Sequence, residues 1–294
     1  MVDIGYQTPI GKITTRGVPR VIIEKHVETV ADVYPGKLLK AGTTDWDVAV
    51  ADGDSPVVGW AGYEHTSVNY RKDNFTTIYT VDDKIAVLRG GKFSIYAWLA
   101  PGPEAVQGDM VFSWGNGDVV TGQEIKGLAA VRIPFEKNAS ETDTELDIPA
   151  GVLVHDCFIE VTAAVASSHI DVGILAAEAG GDLDGFVDGE ATTATGILNH
   201  NLVDATATNI TIGVLLTEVE IKDATGTPVF YAVQQHHEAD GTAESVAYVT
   251  SAHAIAGFIW LLVSGTGVRQ VGIAAEAKSA SASQQRMWVE QNLG

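Results

Sequence analysis

The sequence predicts an all-β protein: a small β-barrel body into which an antiparallel β-sandwich, of jelly-roll or immunoglobulin-like type, is inserted. Three observations carry this expectation. Short β-branched or aromatic runs recur between turn clusters about every ten residues. Acidic residues concentrate in the middle of the chain. A short motif near the start returns near the end.

Residues 1–25 come first. Gly5, Pro9, Gly11, Gly17 and Pro19 interrupt any regular element, and Lys12, Arg16, Arg20 and Lys25 make the segment locally basic. Such a stretch is either a frayed terminus or an extended arm that adds a strand to a partner's sheet. The body follows over 26–126. Asp47–Ala51, Thr77–Val81, Lys84–Leu88 and Phe93–Leu99 read as strands. Asp52-Gly53-Asp54-Ser55-Pro56, Arg89-Gly90-Gly91-Lys92, Pro101-Gly102-Pro103 and Gly115-Asn116-Gly117-Asp118 read as the turns between them.

The inserted module spans 127–267. Strands are readable at 129–135, 153–162, 170–176, 210–221, 229–233, 245–250 and 257–263, with loops at 138–147 and 180–189. Residues 138–267 hold 19 acids and one base, Lys222, a net of −18; the rest of the chain holds 19 acids and 17 bases, a net of −2. A nearly neutral body and a strongly acidic insert are two modules facing different surroundings. The chain then returns to neutrality over 268–294. There Val271-Gly272-Ile273-Ala274 echoes Val58-Gly59-Trp60-Ala61, so 268–294 is expected to complete the barrel begun by 26–126. The alanine-rich stretch 274–282 has only weak helical character.

Composition removes several classes. Among 294 residues the single cysteine, Cys157, excludes a disulfide framework and a multi-cysteine metal site. Apolar stretches such as 255–263 fall short of the ~20 residues of a spanning helix, so no membrane partner is expected. Asp3, Gly5, Gln7 and Pro9 break any secretory pattern at the start. A net charge of −20 repels phosphate backbones, so nucleic acid is not an expected partner.

Chemistry is sparse. The best metal candidate is the loop from Gly180 to Gly189, where Asp182, Asp184 and Asp188 could converge on calcium. The EF-hand pattern fails there at Phe186 and Thr193, and the same residues suit a tight turn. No other cofactor is expected. Cys157 lies in an alternating strand, where a small core residue is expected; His155, two residues away, would share its face. His236-His237 would point to opposite faces of an extended chain. No nucleophile elbow and no phosphate-cradling glycine loop occurs, so binding rather than catalysis is expected.

Leu38-Leu39-Lys40-Ala41-Gly42-Thr43, Val58-Gly59-Trp60-Ala61, Ile85-Ala86-Val87-Leu88-Arg89-Gly90-Gly91 and Ala105-Val106-Gln107-Gly108-Asp109 follow in order, with Val271-Gly272-Ile273-Ala274 and Arg286-Met287-Trp288-Val289 near the end. Together they resemble the small β-barrel cement, or head decoration, proteins of tailed phages and related archaeal viruses. Leu146-Asp147-Ile148-Pro149-Ala150-Gly151, Ile170-Asp171-Val172-Gly173 and Gly181-Asp182-Leu183-Asp184-Gly185-Phe186 are similar to outward sandwich domains of viral structural proteins. The resemblance implies a virion protein on the outer capsid surface. It would bind the major capsid protein, commonly as a homotrimer, and stabilise the head against internal DNA pressure. On that expectation Lys12, Arg16, Arg20 and Lys25 form a capsid-binding arm, and Trp46, Trp60, Tyr63 and Trp98 are candidates for interfaces. The alternative is a module that binds glycans or a host surface, with Phe186 or Trp260 as the aromatic platform.

Overall fold

The computed structural model describes residues 15–28, 33–62, 78–125, 127–178, 181–198, 221–222, 228–230, 237–238, 244–251 and 253–293. Among these the regular structure is β throughout, with one 3-10 turn at Gly115–Gly117.

A three-residue strand, β1 (Thr15–Gly17), opens the described chain. Five strands then close a barrel: β2 (Val21–Val27), β3 (Leu38–Ala41), β4 (Asp47–Val50), β5 (Val57–Ala61) and β6 (Lys84–Arg89), in the order β2-β4-β3-β5-β6. β2 and β4 are parallel; every other pair is antiparallel. Alternation directs Val27, Leu39, Val48, Val50, Ala61, Ile85 and Val87 into one core. The basic arm expected over 1–25 is therefore shorter: residues 15–17 and 21–25 are strand. The flanking Gly17 and Pro19 suggested an irregular segment, but β-branched Val21-Ile22-Ile23 forms an antiparallel ladder with β6, from Val21↔Arg89 to His26↔Lys84. Residues 1–14, including Lys12, lie outside the described residues, as does most of the strand expected at 210–221.

The chain continues through β7 (Phe93–Leu99), β8 (Met110–Ser113) and β9 (Val119–Ile125), and then leaves on a long excursion. β10 (Leu128–Glu136) forms a hairpin with β9, so the expected boundary at 126/127 falls inside a continuous sheet. β11 (Thr142–Ile148) is a strand where an acidic loop was expected, because its alternate residues Thr144, Leu146 and Ile148 turn inward. β12 (Leu153–Ala163), β13 (His169–Ile174), β14 (Val187–Ala191) and β15 (Gly196–Leu198) follow, then the short β16 (Ile221–Lys222), β17 (Pro228–Phe230) and β18 (His237–Glu238). β19 (Glu244–Thr250) and β20 (Ala256–Ser264) end the excursion. β10, β20 and β12 extend the large sheet, and the second sheet, β11-β19-β13-β14, shares one apolar core with them through Phe135, Leu146, Ile159, Val172, Val246 and Ile259.

The chain returns with β21 (Gln270–Ala274) and β22 (Gln285–Gln291), which pair with β8 and β7. No helix forms at 274–282. The order β7-β9-β8-β21-β22 then closes on itself, because Leu99 of β7 bridges Val119 of β9 in parallel.

This second ring repeats the first. The pairs β2/β7, β3/β8, β4/β9, β5/β21 and β6/β22 occupy equivalent places, with the same parallel seam between the first and third strands. Registers agree: Leu39↔Val50 matches Val111↔Thr121, and Ala61↔Val87 matches Ala274↔Val289. The irregularity that follows Leu39↔Gly59 recurs beyond Val111↔Gly272. Isolated bridges Val33↔Tyr79 and Ala105↔Lys278 hold equivalent loops. Gly36 donates its N–H to the Ala61 carbonyl at 2.8 Å, and Gly108 does so to Ala274 at 2.8 Å. The sequence reading expected one barrel completed by the echoed motif. The two copies of the motif instead mark the fourth strand of each of two rings. One wall of the first ring, carrying Leu38, Trp60 and Leu88, joins the core of the second.

Candidate interaction surfaces

The described basic residues of the expected arm lie on the body. Arg16, on β1, stacks over the Trp288 ring, its guanidinium carbon 4.0 Å from the centroid. The Arg20 backbone N–H bonds the Gly90 carbonyl at 2.9 Å, which leaves its side chain exposed. The Lys25 ammonium donates to the Asp45 carbonyl and lies 5.9 Å from the Trp46 ring. Beside them are three exposed apolar side chains: Val18 at 77%, Trp46 at 73% and Ile22 at 45%. Of the aromatic residues expected at interfaces, Trp46 is thus exposed. Trp60 is wholly buried because β5 turns it into the wall between the rings. Trp98 is half-buried, its ring 5.5 Å from the Lys37 ammonium and 4.4 Å from the Arg286 guanidinium carbon. Tyr63 lies outside the described residues.

A buried charge cluster joins the rings. Lys37 of the first ring and Asp118 of the second form an ion pair, their side chains 1% and 5% exposed. Lys37 also donates to the Asn116 carbonyl at 2.8 Å, and the Gln284 side-chain amide donates to the other Asp118 oxygen. Burial pushes the Asp118 carboxyl up to about 6, against the lowering pull of Lys37. Burial also brings Arg286 down to about 9. Sequence reasoning missed this cluster. Its one visible trace was Asp118 in the Gly-Asn-Gly-Asp turn, where the aspartate served only as turn chemistry.

Next to the cluster a cleft of about 520 Å³ opens between the rings and the inserted layers. Trp114, Pro101, Pro149 and Ala150 form apolar lining, while Asp52, Asp54, Glu145 and Asp147 contribute carboxylates. Among the described residues no Ser, Cys, His or Lys lines it.

Asp182, Asp184 and Asp188 come near one another, but not as a cation cage. A hydrogen bond that the protonated Asp182 acid donates to Asp184, with burial and the Asp184 charge, pushes Asp182 up to about 6. Asp188 is raised by burial and by the charges of Asp184 and Asp171. Among the described residues no group of three or more His, Cys, Asp or Glu side chains is arranged to hold a metal ion. Asp182 and Ile174 exchange N–H···O bonds of 3.1 and 2.9 Å, and Gly185 caps the turn at Asp182, so the loop is fastened as a tight turn.

Other expectations also change on the insert. Phe186 is wholly buried and Trp260 is 6% exposed, so neither is a free platform for a glycan. Trp260 packs at 5.8 Å against Phe158 and donates to Glu160 at 3.0 Å. Cys157 faces the core, and burial, with the Asp156 charge, raises its thiol well above the ordinary range. His155 does not share its face: β12 shifts register between Val154 and Asp156, and His155 bonds Ser264 at 2.7 Å. His237 pairs with Glu244, while His236 lies outside the described residues. Among the described residues no helix is long and apolar enough to cross a membrane. Compared with known proteins, the chain matches no family model and no characterised sequence.

Proposed function

We propose that this chain is a structural protein of a virion, bound to the outer capsid surface through its body, where it stabilises the head. The observation that carries the reading is a separation of surfaces. Around β1 and β2 the body presents Arg16 and Arg20 with the exposed apolar Val18, Ile22 and Trp46. The insert, at a net of −18 over 138–267, suits the water-facing side as an outward β-sandwich. Fixed apolar contacts with basic neighbours are the composition of a docking surface rather than a reaction centre. The major capsid protein is the proposed partner, and a homotrimer assembled through the body is the proposed state on the lattice.

Co-sedimentation with purified capsid shells that lack the protein tests this directly. The full chain is expected to pellet with the shells and to raise their thermal stability. Arg16→Glu/Arg20→Glu/Trp46→Ala is expected to weaken attachment at least about tenfold. Failure of the unmodified chain to pellet at saturating concentration would overturn the proposal.

A further inference from the structure

The two rings differ at the seam between their parallel strands. In the second ring β7 and β9 meet only at Leu99 and Val119; ahead of that point β1 occupies the edge of β7, pairing Thr15↔Ile95 and Gly17↔Phe93. In the first ring β2 and β4 meet at His26 and Val27, and the residues equivalent to Phe93 and Ile95 are Val21 and Ile23. Among the described residues these pair with β6 alone, on the other side. His26 and Glu28 donate their N–H groups to Trp46 and Val48, across the seam. Backbone groups alternate along a strand, so those of Ile22 and Glu24 point across the same seam, ahead of the start of β4. The adjoining mouth of the first ring holds a cavity of about 270 Å³, lined by Ile23 and Lys25 of β2, Gly42 and Thr44 of the β3–β4 turn, Val58 of β5 and Arg89 of β6. Exposed Ile22 and Trp46 lie close to this edge. Among the described residues no strand covers this edge, and such an edge beside exposed apolar side chains is a template for one more strand.

We propose that this edge of the first ring receives residues 1–14 of a second copy of the chain, running antiparallel to β2 as β1 runs to β7. Three facts favour that occupant. The same N-terminal stretch, through β1, already supplies the strand for the equivalent seam. Its sequence alternates, with Ile4, Tyr6, Thr8 and Ile10 on one face of an extended chain and Pro9 compatible with an edge strand. Its direction favours a neighbour. β1 runs antiparallel to β7 with Thr15 opposite Ile95, so the N-terminal end of β1 points toward Leu99, while β2 follows from its Gly17 end. Fourteen extended residues reach about 46 Å, enough to cross to an adjacent protomer. The exchange closes as a reciprocal pair or as a ring such as a trimer, according to the rotation between copies. It requires only the geometry of the two rings and does not depend on capsid attachment.

Sedimentation of the full chain over a concentration series tests it, beside Glu24→Pro and a chain lacking residues 1–14. Proline at position 24 removes an N–H directed into the seam and spares the β2–β6 ladder. Both changes are expected to weaken self-association at least about tenfold while leaving the melting temperature nearly unchanged. Mixing Ile22→Cys chains with Ile10→Cys chains should yield disulfide-linked unlike pairs, with buried Cys157 silent. This arm decides the matter even if Glu24→Pro fails to fold. A full-length chain that stays monomeric, or self-association unaffected by loss of 1–14, would overturn the proposal. So would a doubly substituted chain that closes the disulfide only within itself.

Discussion

Asp118 shows how much can rest on one carboxylate. It is the counter-ion of buried Lys37, and the pair spans the two rings. Asp118→Ala leaves the ammonium buried without this carboxylate, and a loss of about 3–5 kcal/mol is expected. Lys37→Met/Asp118→Leu, which removes both charges, should recover most of that loss; denaturant unfolding measures both variants. The pH response has a definite sign. The folded-state pKa of Asp118 is about 6 against an ordinary 3.8, so its contribution to stability is complete below the ordinary value and is lost as pH rises through 6. Asp182, also raised to about 6, acts in the same direction. Unfolding free energy from these groups should therefore fall between about pH 4 and pH 6.5. Asp118→Asn should flatten that slope, and an unchanged slope would assign it to other groups.

At the scale of elements, the repeated turn before the second strand of each ring gives an internal control. Gly36 and Gly108 both adopt left-handed backbone, at φ +86° and +97°. A Cβ at Gly108 meets nothing within 4 Å, so Gly108→Ala carries only the conformational cost, about 1–2 kcal/mol. A Cβ at Gly36 would lie 2.3 Å from the Tyr96 carbonyl of the other ring, so Gly36→Ala should cost about 1–3 kcal/mol more. Equal losses in chemical denaturation would contradict the close contact. Strands of this kind were legible in advance. Phe93–Leu99 alternates in sequence and in burial, residue by residue. What a period of two cannot reveal is which strand lies beside which, so two rings were read as one. Val21–Val27 was missed because Gly17 and Pro19 masked a β-branched run. Lys37 and Asp118 were illegible for another reason: an ion pair separated by 81 residues leaves no local pattern.

At the scale of the molecule, charge and connectivity give two expectations. Assembly through the body should tolerate salt or strengthen with it, because salt screens repulsion between inserts without weakening apolar contacts. Sedimentation across a salt series checks this; dissociation at high salt would make the contacts ionic. The insert also leaves and returns at neighbouring places. Ile125 lies opposite Leu128, and Ala129 lies opposite Val263, so two strand spacings, about 10 Å, separate the exits. A chain joining Ile125 to Gly265 by a short Gly-Ser linker should fold cooperatively. It should be less stable than the full chain, since Phe112, Trp114 and Val120 lose the cover of the inserted layers.

The split second ring also sets an order of events in folding. The first ring is complete in the chain once Arg89 has been synthesised, and its contacts join residues close in sequence. The second cannot close until Gln291 arrives, and nearly half the chain separates Ile125 from Gln270. Loop-closure entropy and contact order both place that closure late. Until then the edges of β7 and β8 await β22 and β21, the interval in which this protein is most exposed to mispairing. Pulsed hydrogen exchange during refolding should protect the amides of Ile85–Leu88 before those of Met287–Val289, and simultaneous protection would mean that the two rings fold as one unit.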